Sequence, residues 1–171
     1  GIAGYIKAIR PDIKIISVEP IDSNCFAAAM EAGKRVTLSH VGIFSDGVAV
    51  KQIGEHTFAI ARTHVDDYVT VSTDQICSAI KDIFEQTRSI VEPSGALALA
   101  GVHAYSLPKH AKAVAICSGA NMTFERLQQI AERTLMGSGK EALFSVQMPE
   151  KPGALQRFCQ TVVGDRSITE F

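Results

Sequence analysis

The sequence predicts an α/β architecture: part of an open, mainly parallel sheet with flanking helices, followed by the start of a smaller α+β unit. Three observations carry this. Strand-like runs rich in β-branched residues alternate with helical patterns as far as Leu135, so consecutive strands are most simply parallel. Turn motifs of Gly, Ser and Asn stand where strands meet helices, the edge at which open parallel sheets bind ligands. Beyond Leu135 the run Met136-Gly137-Ser138-Gly139-Lys140 reads as a linker, and a strand–helix–strand pattern follows it. The expected division is residues 1–139 and residues 140–171.

Each element has a local reason. Ile2 to Ile9 is helical and closes before Pro11, because the residue before proline disfavours the α conformation. Ile13 to Val18 is a β-branched strand ended by Glu19-Pro20. Asn24 to Glu31 is helical and stops at Gly33. Lys34 to Asp46 is irregular, and Gly54 separates two short helical pieces, Val48 to Ile53 and His56 to His64. Asp67 to Val71 is a strand. Ser72 and Gln75 form a capping box for a helix with Ile76, Ile80, Ile83 and Phe84 on one face. Pro93 at a first helical position opens a helix that is apolar nearly all round and therefore buried. Ala113 to Ile116 is a buried strand that stops at Cys117-Ser118-Gly119-Ala120-Asn121. The next helix carries Phe124, Leu127, Ile130, Ala131 and Leu135 at helical spacing. After the linker, Ala142 to Met148 is strand-like, Leu155, Phe158, Cys159 and Val162 mark a helix face, and Arg166 to Phe171 begins another strand.

Seventeen basic and eighteen acidic residues among 171 leave a net charge of −1, which argues against nucleic acid or an anionic membrane as partner. No apolar run approaches a bilayer span, and no signal-peptide pattern is present. The four cysteines are scattered, with no C-x-x-C pair, as expected of reduced thiols in a cytoplasmic protein. The chain begins within a helical pattern without an initiator Met and ends within a strand-like run. It is therefore expected to be a piece of something longer.

Three motifs could carry chemistry: SDGVAVKQIG (Ser45 to Gly54), VEPSGALALAG (Val91 to Gly101) and CSGANM (Cys117 to Met122). Singly, each has an ordinary explanation. Gly47 permits a left-handed turn. Glu92 before Pro93 complements a helix dipole. Ser118 caps nearby backbone groups.

Taken together and in order with GIAGYIKAIRP, KIISVEPIDSN, DDYVTVS and CSGANMTFERL, these segments resemble the pyridoxal-phosphate-dependent threonine dehydratases. Those belong to the fold-type-II, tryptophan-synthase-like group. The tail EALFSVQMPEKPGALQRFCQ resembles the start of the ACT-like regulatory domain of the biosynthetic form. The resemblance implies a cofactor site at Ser118, Gly119, Gly47 and Glu92. Ser118 would hydrogen-bond the pyridine nitrogen; a hydroxyl is too weak an acid to keep that nitrogen protonated, which favours prompt loss of a β-hydroxyl over transamination or racemisation. Gly119 would let the backbone come close, Gly47 would lie against the ring, and Glu92 near its edge.

The resemblance also places the Schiff-base lysine in an S-x-K-x-R-type motif upstream of Gly1, along with most of the phosphate-binding glycine loop. None of the nine lysines here has that setting, so no catalytic residue is expected in this chain, and residues 1–171 alone should be inactive. In some relatives, serine racemase included, an acid matching Glu19 and a second acid six residues on help hold a divalent cation. Here that second position is Cys25, a poor ligand for hard cations, and Asp22 is out of register, so no metal is expected.

The implied activity of the intact enzyme is deamination of L-threonine to 2-oxobutanoate and ammonia. Isoleucine is the implied effector and a homo-oligomer the implied assembly. A catabolic serine/threonine dehydratase or a serine racemase is the alternative within the cofactor class. A non-catalytic ligand-sensing or oligomerisation module is the alternative outside it.

Overall fold

Asp66 sets the register of the sheet. Its carboxylate accepts the Ile15 amide at 2.7 Å, and the Ile15 carbonyl accepts the Asp66 amide at 2.9 Å. These bonds occupy Ile15, so strand β1 begins one residue later and covers Ile16–Pro20, not the expected Ile13 to Val18. It pairs in parallel with β2, Asp67–Val71, from Ile16 opposite Asp67 to Pro20 opposite Val71. Pro20 is tolerated because it closes the strand, where no further ladder donor is required.

The structure is a computed structural model and describes residues 1–137 and 140–169. It contains two units, Gly1–Lys140 and Glu141–Phe171. The expected linker residues Ser138 and Gly139, and the last two residues of the expected final strand, lie outside the described residues.

In the first unit the helices are α1 Ile2–Ile9, α2 Cys25–Ala32, α3 Glu55–His64, α4 Thr73–Thr87, α5 Pro93–Ala104 and α6 Phe124–Gly137. The α4 capping box forms in full. The Gln75 amide donates to Ser72 Oγ at 3.2 Å, and the Ser72 amide donates to Gln75 Oε1 at 2.8 Å. Pro93 opens α5 as expected, and Pro93, Gly95, Ala96, Leu97, Ala100 and Gly101 are buried. Helix α5 joins α4 and Val71 in the main core, with Ile76, Cys77, Ala79, Ile80 and Ile83 from α4 and Ile130 from α6. Phe26, Ala29 and Phe58 form a second cluster on α2 and α3.

Several expectations fail for identifiable reasons. Val48 to Ile53 is not helical: a 3-10 turn covers Asp46–Val48, Val50 donates back to Val48, and the Lys51 carbonyl accepts the Leu38 amide from another segment. Those bonds divert the backbone from an i to i−4 ladder. Ala113 to Ile116 is not a strand, because a strand needs a partner and among the described residues only β1 and β2 pair. Val114 is 91% exposed there. Phe84 sits on the rim of the α4 face, and of the expected α6 face only Ile130 is buried while Phe124 is 86% exposed.

The second unit is irregular over residues 141–148, where a strand was expected, and over the described part of the last expected strand. A short helix α7, Ala154–Phe158, runs into a π turn, Cys159–Val163. Leu155 and Val162 are exposed, so the expected apolar face is half-formed.

Candidate cofactor site

The three motif segments meet at one point, and glycines set how closely. Gly47 lies in the 3-10 turn, Glu92 is the N-cap residue of α5, and Ser118 and Gly119 lie in the irregular segment between α5 and α6. A Cβ on Gly47 would lie 2.8 Å from Ser94 Oγ and 4.0 Å from Glu92 Oε1. A Cβ on Gly119 would lie 1.9 Å from Glu92 Oε1. The Glu92 carboxylate is thus held between Gly47 and Gly119. A Cβ on Gly95 would lie 1.7 Å from the Ser118 carbonyl oxygen, and the Glu92 amide donates to the Gly119 carbonyl at 3.2 Å. The four residues named from sequence are brought together.

The ordinary explanations of Gly47 and Ser118 do not describe what those residues do here, while Glu92 does stand at the positive end of α5. Gly47 is absent from the positive-φ glycines, so its role is close approach to Ser94 and not a left-handed turn. Gly119 does adopt φ +77, a region L side chains rarely enter. Glu92 starts α5 without a side-chain capping bond, and its carboxylate points between the two glycines instead. Ser118 is exposed, and its hydroxyl caps no backbone group among the described residues.

Sequence reading missed two hydroxyls. Ser94 Oγ, in the first turn of α5, and Ser45 Oγ, which precedes the 3-10 turn, are buried without a hydrogen-bond partner among the described residues. Buried polar groups are nearly always satisfied, so two orphans beside one site are notable. Ser94 was visible as the hydroxyl within EPSG; Ser45 had no signal of its own.

The Glu19 carboxylate is committed elsewhere. It accepts the Phe26 amide at 2.9 Å and the Ala27 amide at 2.8 Å, capping α2 at its positive end. Burial pushes the Glu19 carboxyl up, against the pull of these two amides. Cys25 Sγ stands 3.9 Å away and is itself pushed up by burial. Among the described residues no three His, Cys, Asp or Glu side chains group as a metal site.

A pyridine ring would fit this donor set at one edge: an exposed hydroxyl at Ser118, a Gly119 with no side chain of its own, and the Glu92 carboxylate beside them. Comparison with known proteins points the same way. Residues 1–119 match the family described as pyridoxal-phosphate dependent enzyme, and residues 132–171 match the C-terminal regulatory domain of threonine dehydratase. The chain is 50% identical to the biosynthetic L-threonine dehydratase of Burkholderia multivorans, covering all of this chain and 34% of that protein. It is 49% identical to the chloroplastic biosynthetic threonine dehydratase of Arabidopsis thaliana, covering all of this chain and 29% of that one. The processed form of threonine deaminase isoform 2 from Solanum lycopersicum superposes with a TM-score of 0.72 at 41% identity, over 77% of this chain and 39% of that one. The chain spans about a third of the length of the curated relatives it matches. By its sequence match over residues 1–119 and its fold, the chain belongs to the pyridoxal-phosphate-dependent enzyme family.

Proposed function

We propose that this chain works within a longer biosynthetic threonine dehydratase, which converts L-threonine to 2-oxobutanoate and ammonia. In this reading residues 1–139 are the carboxyl-terminal part of the catalytic domain, and residues 140–171 begin the ACT-like regulatory domain. The observation that carries the reading is the meeting of three distant segments at Gly47, Glu92 and Gly119, with Ser118 exposed beside them.

Pyridoxal phosphate, when bound, supplies the electron-withdrawing ring that lets an amino acid lose its α-proton and then its β-hydroxyl. The residues of this chain act on the ring's environment. Ser118 gives the ring nitrogen a neutral hydrogen-bond partner and withholds a proton from it. Gly119 removes the side chain that would keep the backbone away. Gly47 brings its loop against Ser94, and Glu92 fixes the spacing between the two glycine segments. No residue here acts as the base; the lysine is supplied by the remainder of the enzyme.

Isoleucine is the proposed effector, and a homo-oligomer the proposed assembly. A cytoplasmic setting is proposed for the intact enzyme; among the described residues no helix is long and apolar enough to cross a membrane, and all four cysteines are free. The test is direct. The full-length protein, freed of cofactor and then supplied with pyridoxal phosphate and L-threonine, should release 2-oxobutanoate and ammonia in equal amounts. Absence of cofactor-dependent 2-oxobutanoate would refute the reading.

A further inference from the structure

Two contacts bring the site's segments together, Gly47 against Ser94, and Gly119 with Ser118 against Glu92 and Gly95. A third returns from the end of this arrangement to its beginning. Arg126, in the first turn of α6, extends its guanidinium to the loop that carries Gly47. One nitrogen donates to the Phe44 carbonyl, another lies 3.6 Å from Asp46 Oδ1, and the guanidinium carbon lies 5.6 Å from the centre of the Phe44 ring. We infer that Arg126 is a positioning residue, which locks the Phe44–Gly47 loop to the segment following Ser118 and so holds Gly47 in register with Glu92 and Ser94.

The chemistry needs an arginine. A planar guanidinium can serve a carbonyl, a carboxylate and a ring face at once, while an ammonium offers a point charge and no plane to stack. The loop needs a holder. Residues 39–45 have no regular structure, and their neighbouring anchors are the Gly42 amide on the Asp22 carbonyl at 2.8 Å and Ser23 Oγ on the Val48 carbonyl at 2.9 Å. Both of those come from the Pro20–Ser23 side. Among the described residues Arg126 supplies the polar side-chain link from the Ser118 side, and Phe44 beneath it packs on the main core. Arg126 touches neither Ser118 nor Glu92 in any contact above, so its effect on the site passes through the loop.

This inference rests on the proposed function for its binding readout but not for its structural one. The full-length protein is compared with its Arg126→Ala, Arg126→Lys and Asp46→Asn variants. In the cofactor-free state, the amides of Val48 and Ala49, which donate within the turn to Ser45 and Asp46, should exchange about tenfold faster in Arg126→Ala, with α4 and α5 unchanged. Pyridoxal phosphate should bind about tenfold more weakly, followed by its visible absorption, with KM for threonine raised more than kcat is lowered. Arg126→Lys should recover part of the affinity, and Asp46→Asn should show the same signs at smaller size. Unchanged exchange at Val48 and Ala49 overturns the inference. So does an increase as large in α4 and α5, which would make Arg126 a residue of general stability. If the parent protein binds no pyridoxal phosphate, the proposed function fails, and the exchange data still decide the role of Arg126.

Discussion

Glu92 fills the side-chain space of Gly119: its Oε1 stands 1.9 Å from where a Cβ would be, and its amide bonds the Gly119 carbonyl. Gly119→Ala must therefore displace the carboxylate and hold alanine at φ +77. The left-handed conformation alone costs an L residue roughly 1–2 kcal/mol. The expected result is a loss of stability of that order together with at least tenfold weaker pyridoxal phosphate binding. Wild-type affinity in this variant would show that Glu92 and Gly119 meet for packing only.

Ser118 is tested by two substitutions with different signatures. Ser118→Ala removes a hydrogen bond and should weaken cofactor binding by about 1 kcal/mol or somewhat more. Ser118→Asp should keep the ring nitrogen protonated and shift product from elimination toward transamination, read as the ratio of 2-oxobutanoate to amino-transfer product. If both variants keep the parent's affinity and product ratio, Ser118 is only a turn residue.

Gly101 separates helix propensity from packing. An alanine inside a helix normally gains about 1 kcal/mol over glycine. A Cβ on Gly101 would lie 2.3 Å from Val18 Cγ2, where α5 crosses β1. Overpacking a core typically costs 1–3 kcal/mol, so packing should win. Gly101→Ala is expected to lower the urea midpoint, and Gly101→Ala with Val18→Ala to recover part of the loss. A stabilised single variant would show that α5 has room above the sheet.

What the sequence revealed was mostly local. The Ser72–Gln75 box, Pro93 at the head of α5 and α1 each depend on neighbours within four or five residues, and each appears where expected; β2 also appears where expected, although its ladder partner lies 51 residues away. Contacts made across the chain were not legible. The start of β1 is fixed by Asp66, 51 residues after Ile15. Arg126 reaches Phe44 across 82 residues. The extended run at Ala113 to Ile116 reads as strand by composition, but β structure is completed by a neighbour that composition cannot name. The same holds at the site: the motifs named Gly47, Glu92, Ser118 and Gly119, while their packing partners Ser94 and Gly95 became visible only when α5 was placed.

Cys77 gives the alkaline limb of stability a definite sign. It is fully buried on the core face of α4, and burial pushes its thiol up to about 11 from an ordinary value of 9.0. The unfolded chain therefore loses this proton first. The stabilisation is fully present below about pH 9 and drains away as pH rises toward 11, by up to about 2–3 kcal/mol. Unfolding midpoints of the reduced full-length protein between pH 8 and 11 should fall more steeply than those of Cys77→Ala. Parallel curves would mean that Cys77 does not control this limb. At neutral pH, thiol reagents should reach exposed Cys117 well before Cys77.

The second unit offers the test of regulation. Its α7 begins after Pro149, Pro152 and Gly153, with Gly153 at φ +81, and leaves Leu155 exposed. An apolar side chain at the head of a short helix can serve subunit contact alone, or it can serve a ligand-sensing domain. The regulatory reading predicts that isoleucine lowers the intact enzyme's affinity for threonine. Coupling of this kind is typically worth 1–3 kcal/mol and is reciprocal, so a threonine analogue should weaken isoleucine binding by the same factor. Threonine saturation would be measured with and without isoleucine, then repeated on enzyme truncated after Gly139. The expected outcome is a right-shifted curve for the intact enzyme and no shift for the truncated one. Equal inhibition of both forms would place the sensor outside residues 140–171 and leave the tail with an assembly role.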